Sequence, residues 1–230
     1  MPIQYIIEPP NEADPPEAGW PLIIFLHGTT ERGSNLKKLT RRGPLAHRAD
    51  GGRFSCYVAA PQCPATTTWN HLNDELQQWL DALLVTRPID PNRITLTGFS
   101  LGGSGILDWA YRSPDRFAAL VPVAGVDVPD GKRNPCVLAS IPMWIIAGRK
   151  DKVVSASGAE AFIALMKSCG AEPRYTLYDT NHVETAKRAY RNPELHNWML
   201  SQSRGNHHNE EGRSTCCPQI LRAFHVNEEV

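Results

Sequence analysis

The stretch RITLTGFSLGGSG, Arg93 to Gly105, decides the fold. It begins as an apolar run of strand type and ends in small residues that open the helical pattern GGSGILDWAYRSP, stopped at Pro114. At the junction lies Gly98-Phe99-Ser100-Leu101-Gly102, a G-x-S-x-G. A serine on so tight a turn needs small neighbours, because larger ones would clash, and the strained turn lifts its hydroxyl above the sheet edge. The bare pattern also fits a glycine-rich turn with an N-capping serine. The strand before and the helix after favour a nucleophile.

Outward from this point, strands and helices alternate. IQYIIEP reads as a short strand, and PLIIFLHG and FSCYVAAP read as strands buried on both faces. Trp69, Leu72, Leu76, Trp79, Leu80, Leu83 and Leu84 recur at steps of three and four, which predicts an amphipathic helix ended by Arg87-Pro88. FAALVPVAG, IPMWIIAG and PRYTLYD are further strands. SGAEAFIALMKSCG is a helix, and VETAKRAYRNPELHNWML is one or two helices broken near Pro193. Such alternation implies an α/β fold with a mainly parallel central sheet flanked by helices. The gap from Val126 to Ser140 is too short for a lid domain. Residues 1–202 form one domain in this reading. Residues 203–230 are polar, lack periodicity and read as a disordered tail.

A serine hydroxyl needs a base beside it and a third group to orient that base. In a strand-elbow-helix context the chain order is serine, acid, histidine. Asp151 lies just past the strand IPMWIIAG, in GRKDKVV, and is the expected acid. Asp127 is the runner-up, and Asp179 is a supporting candidate at the end of PRYTLYD. Asp108 and Asp115 read as helix-surface and turn residues. His182, between that last strand and a helix, is the expected base. His196 falls mid-helix, and His207 and His208 fall in the tail. Two backbone N–H groups should stabilise the oxyanion: Leu101, which follows the nucleophile, and Thr29, after His27-Gly28 at the end of PLIIFLHG.

HGTTERGSN, AAPQCP, Trp69, LTGFSLGGSG, DRFAALVPVAG, GRKDKVV and the Asn181-His182 to Ala189-Tyr190 spacing together resemble the α/β-hydrolases of the dienelactone hydrolase and carboxylesterase group. Within it, the chain is most similar to bacterial esterases labelled predicted peptidases or phospholipase/carboxylesterase-like. The likeness runs from about Pro21 to Leu200. It implies an α/β-hydrolase fold with Ser100 as nucleophile, Asp151 as acid and His182 as base. The chain departs from the pattern at Asn181, where the group tends to have glycine, and at Thr29, where it has glycine or alanine.

Composition limits what else the chain does. In 230 residues, Lys+Arg 24 balances Asp+Glu 24, so the bulk attraction that draws proteins to nucleic acid is missing. No apolar run reaches the length of a membrane span. The basic run Arg32, Lys37, Lys38, Arg41, Arg42, Arg48 and Arg53 reads as solvated surface, with steering of an anionic substrate as a second reading. Trp69 and Trp144 read as core rather than site lining. Cys56 and Cys63 flank one strand, where a bridge is conceivable. Free thiols in a reducing cytoplasm are the preferred reading for all six cysteines, including Cys136, Cys169, Cys216 and Cys217. No metal and no organic cofactor are expected, and the partner is a small-molecule ester. Three functions compete: a serine esterase, a peptidase or amidase using the same triad, and a non-catalytic binding protein on this fold.

Overall fold

Seven strands order themselves β1-β3-β2-β4-β5-β6-β7 in the computed structural model, which describes residues 3–126 and 134–207. The strands are β1 (Tyr5–Glu8), β2 (Trp20–Leu26), β3 (Tyr57–Pro61), β4 (Ile89–Phe99), β5 (Ala119–Val123), β6 (Trp144–Gly148) and β7 (Arg174–Tyr178). β1 pairs antiparallel with β3, and every other pairing is parallel. The helices are α1 (Gly43–Ala49), α2 (Asn73–Thr86), α3 (Leu101–Arg112), α4 (Ala156–Ser168), α5 (His182–Tyr190) and α6 (Pro193–Ser201). This is an α/β-hydrolase fold.

The alternation of side chains along β2 shows why its sequence is apolar throughout. Leu22, Ile24 and Leu26 pack with Leu76 and Leu80 of α2, Ile106 and Trp109 of α3, and Phe162 of α4. Ile23 and Phe25 point the other way, to Leu45 of α1, Ala189 and Tyr190 of α5, and Leu195 of α6. Each such side chain, fully buried, contributes about 1.5–3 kcal/mol. Trp69 and Trp144 are core residues, as expected. The register pairs Leu26 with Gly98, Phe99 with Val123 and Gly148 with Tyr178, so the parallel strands end together at one sheet edge.

Three features differ from the sequence reading. The polar stretch 29–53 contains α1 and two short 3-10 turns, because Leu39 and Leu45 are buried within an otherwise basic run. Two buried leucines are too few to show a helical period. Arg204, inside the expected tail, sits in a 3-10 turn and its Nη2 donates to Asn92 Oδ1 at 2.8 Å. His208, Cys216 and Cys217 lie outside the described residues, as does Asp127.

The cysteine reading needs correction. Cys136 and Cys169 form a disulfide that joins the loop before β6 to the end of α4. Cys56 and Cys63 are free and buried. They cannot bridge, because Cys56 packs with Val58 and Ala60 on one face of the sheet while Cys63 packs with Tyr57 and Ala59 on the other. Burial pushes both thiols up, to about 12 and about 11. No helix among the described residues is long and apolar enough to cross a membrane.

Candidate active site

Ser100 has φ 54° and ψ −120°, in the left-handed region that costs a non-glycine residue energy. Its N–H donates to Val123 O at 3.0 Å, which fixes the turn to the end of β5. The flanking glycines are needed for close approach. A Cβ at Gly98 would strike the Gly102 carbonyl, and one at Gly102 would strike the Leu26 carbonyl. The start of α3 is thereby pressed against the end of β2.

The turn presents Ser100 Oγ at 2.9 Å from His182 Nε2. On the far side of the ring, Nδ1 is 2.6 Å from Asp151 Oδ2. The Asp151 side chain is 0 % exposed and that of His182 is 14 % exposed. Asp151 Oδ1 accepts from Val153 N at 2.8 Å and Val154 N at 2.9 Å, so both carboxylate oxygens are occupied. The Asp151 carboxylate accepts a hydrogen bond from Nδ1–H, which leaves Nε2 as acceptor for the serine hydroxyl. The Phe99 ring packs 4.7 Å from the imidazole.

Local bonds hold the loops that carry Asp151 and His182 together. Arg149 N donates to Tyr178 O at 2.8 Å, and Lys150 N to Thr180 O at 3.1 Å. Asn181 is the N-cap of α5, its side chain accepting from Glu184 N at 3.0 Å. The asparagine standing where the resemblance expects glycine therefore has a capping role, and it makes His182 the first residue of the helix.

The other candidates lie elsewhere. Asp179 is exposed and bonds Lys150 Nζ at 2.7 Å, and that bond lowers its pKa. Asp108 bonds Asn73 Nδ2 at 2.8 Å, and Asp115 lies in an exposed turn. His196 is buried against Phe54 and His47, and desolvation lowers its pKa to about 4. Thr29 opens a 3-10 turn after β2 and Leu101 opens α3, so each N–H begins a helical turn on one of two adjacent strand ends. Among the described residues no group of three or more His, Cys, Asp or Glu could hold a metal ion.

Two contributors escaped the sequence reading. His27, read as a strand end, is fully buried. Its Nε2 accepts from Cys63 N at 3.0 Å and its Nδ1 is 2.7 Å from Gly28 O. Trp69 Nε1 donates to the His27 carbonyl at 3.0 Å. This ring and the indole set the path of the chain into Gly28 and Thr29. Glu31 is likewise buried, its side chain 4 % exposed, and Oε1 accepts from Arg42 Nε at 3.0 Å. The Arg42 guanidinium lies 5.5 Å from the Phe99 ring centroid. A His-Gly pair closing an apolar strand hints at the first. The second has no local signal, since eleven residues separate the partners.

Known proteins resemble this chain in sequence or in fold. A family model described as "Putative esterase" matches residues 2–211. An S-formylglutathione hydrolase of Rattus norvegicus is 29% identical over 119 residues, covering 49% of this chain and 39% of that protein. A thermostable esterase of known crystal structure superposes with a TM-score of 0.76 at 27% identity, covering 87% of this chain and 59% of that one. An acylaminoacyl peptidase of Pyrococcus horikoshii superposes at 0.63 with 17% identity, covering 92% of this chain and 41% of that one, a likeness of fold alone. The chain thus spans less than two thirds of the length of each of these three relatives.

Proposed function

The chain belongs to that esterase family, and from this premise we propose that it is a serine hydrolase of small carboxylic esters acting through an acyl-enzyme. The observation that carries the reading is the unbroken hydrogen-bond chain Ser100–His182–Asp151, with the serine on a positive-φ turn. In the proposed reaction, Ser100 Oγ attacks the ester carbonyl while His182 Nε2 takes its proton. The developing oxyanion is met by the Leu101 and Thr29 N–H groups. As the C–O bond breaks, His182 returns the proton to the leaving alcohol. Water then attacks the acyl-Ser100 ester with His182 again as base, releasing the acid and the free serine. Asp151 stays ionised and stabilises the imidazolium.

A burst of nitrophenol equal to the enzyme concentration, with an acetyl group recovered on the Ser100 peptide, is the expected result with p-nitrophenyl acetate. No burst and no label would refute the acyl-enzyme. A peptide anilide run alongside separates ester from amide cleavage. The gap from Val126 to Ser140 is too short to hold a lid domain, which supports an open site and short acyl groups. The Cys136–Cys169 disulfide favours an oxidising compartment over the cytoplasm expected from free thiols.

A further inference from the structure

The basic run that reads as solvated surface does not all behave as such. Beside α5 lies an open pocket of about 260 Å³, lined by Arg41, Arg42, His47, Asp50, Lys187 and Arg191 together with apolar parts of α1 and α5. Four permanent cations thus face one carboxylate. Ala186 also lines it, one helical turn, about 5.4 Å, along α5 from His182.

Arg42 is the cation best prepared to bind. Buried Glu31 holds its Nε, and Phe99, the ring packed on His182, lies under its guanidinium. Among the described residues its two terminal amino groups have no partner, so a planar fork stands fixed with its outer donors free. Arg41 is exposed and likewise makes no hydrogen bond or ion pair among the described residues. Lys187 pairs with Glu184 at 2.6 Å and Arg191 with Asp50 at 2.9 Å, but all four side chains are about half exposed or more, so these pairs rearrange at little cost.

We propose that this pocket is an anion subsite: the substrates of the Ser100 site are esters carrying a carboxylate or phosphate a short spacer away from the scissile carbonyl. The inference rests on the serine-hydrolase reading and adds the substrate class. The volume suits an anionic head on a short stem.

The experiment compares mono-4-nitrophenyl glutarate with 4-nitrophenyl pentanoate, which place a carboxylate or a methyl at the end of the acyl chain. 4-Acetoxybenzoate against 4-acetoxybenzamide places the charge on the alcohol side. The quantity read is the ratio of kcat/KM, anionic over neutral, so a general loss of activity cancels. In at least one of the two pairs the wild type should favour the anion by about tenfold or more, and Arg42→Gln should lower that ratio at least about fivefold. Because Arg42→Gln leaves Glu31 buried without its partner, the exposed double variant Arg41→Gln/Lys187→Gln is measured as well, with a loss of about threefold expected. Inorganic phosphate should raise KM for the anionic ester more than for the neutral one. Ratios near one in both pairs, or unchanged in both variants, would overturn the subsite. If pentanoate is turned over normally in that case, the serine-hydrolase reading stands; if neither ester is cleaved and Ser100 is not labelled, both readings fall.

Discussion

Two loops at the same sheet edge each carry a histidine, one after β2 and one after β7, and their surroundings are opposite. Both His27 nitrogens face the backbone, through Cys63 N and Gly28 O, inside a fully buried shell. His182 commits one nitrogen to Asp151 and turns the other outward to Ser100. Burial, its dominant influence, lowers the pKa of His27, as suits a ring that stays neutral and structural. In the proposed reaction, what separates a reagent from a brace is the group its second nitrogen meets.

Substitutions can break this contrast. Ser100→Ala removes the proposed nucleophile and no core volume, so kcat on p-nitrophenyl acetate should fall by about 10⁶ with thermal stability retained. Activity within tenfold of wild type would end the contrast at its root. Asp151→Asn should lower kcat by about 10⁴, because the ring loses its orienting partner. Asp127→Asn should be mild and Asp179→Asn near neutral, Asp179 being bound to Lys150 in solvent. A reversed ranking would transfer the acid role to Asp127.

A third histidine sharpens the comparison. His196 has a folded-state pKa of about 4, against 6.5 for an unperturbed imidazole. Between these values the unfolded chain binds a proton that the folded chain refuses. Its contribution is therefore full above about pH 6.5 and lost as pH falls toward 4, by roughly 3 kcal/mol. His27 acts in the same direction. Urea melts of wild type and His196→Gln at pH 7 and pH 5 should show a shallower pH dependence in the variant. Parallel curves would remove His196 from the acid sensitivity.

The smallest expected effect is at His27 itself. His27→Gln should cost about 2 kcal/mol of stability through the lost buried bonds. It should lower kcat about tenfold, because the Thr29 loop is no longer held in place. Stability unchanged with kcat abolished would make His27 a reagent after all.

How much of this was legible follows the range of the interactions. Strands β2, β3 and β5 could be read from continuous apolar runs, because burial on both faces leaves a local trace. Ser100, Asp151 and His182 could be picked by their places at strand ends, and the fold brings these three within hydrogen-bond distance. α1 could not, since its burial rests on Leu45 and a proline-led first turn within basic residues. Cys136 and Cys169 lie 33 positions apart and their pairing depends on how α4 docks. The Glu31–Arg42 pair depends on the path of a loop. A charge run shows how many cations are present and hides which of them a buried carboxylate will fix.

The two free thiols on opposite sides of β3 have a use of their own. Each is sealed by a different half of the core and is held protonated by burial, so neither reacts until its own side opens. Reaction of Cys56 with a thiol reagent would time the opening of the layer holding α1, α5 and α6, and reaction of Cys63 that of the layer holding α2, α3 and α4. Among the described residues, these two thiols thus form a pair of reporters, read by peptide mapping at each cysteine, that shows whether the layers come apart as one unit or in turn.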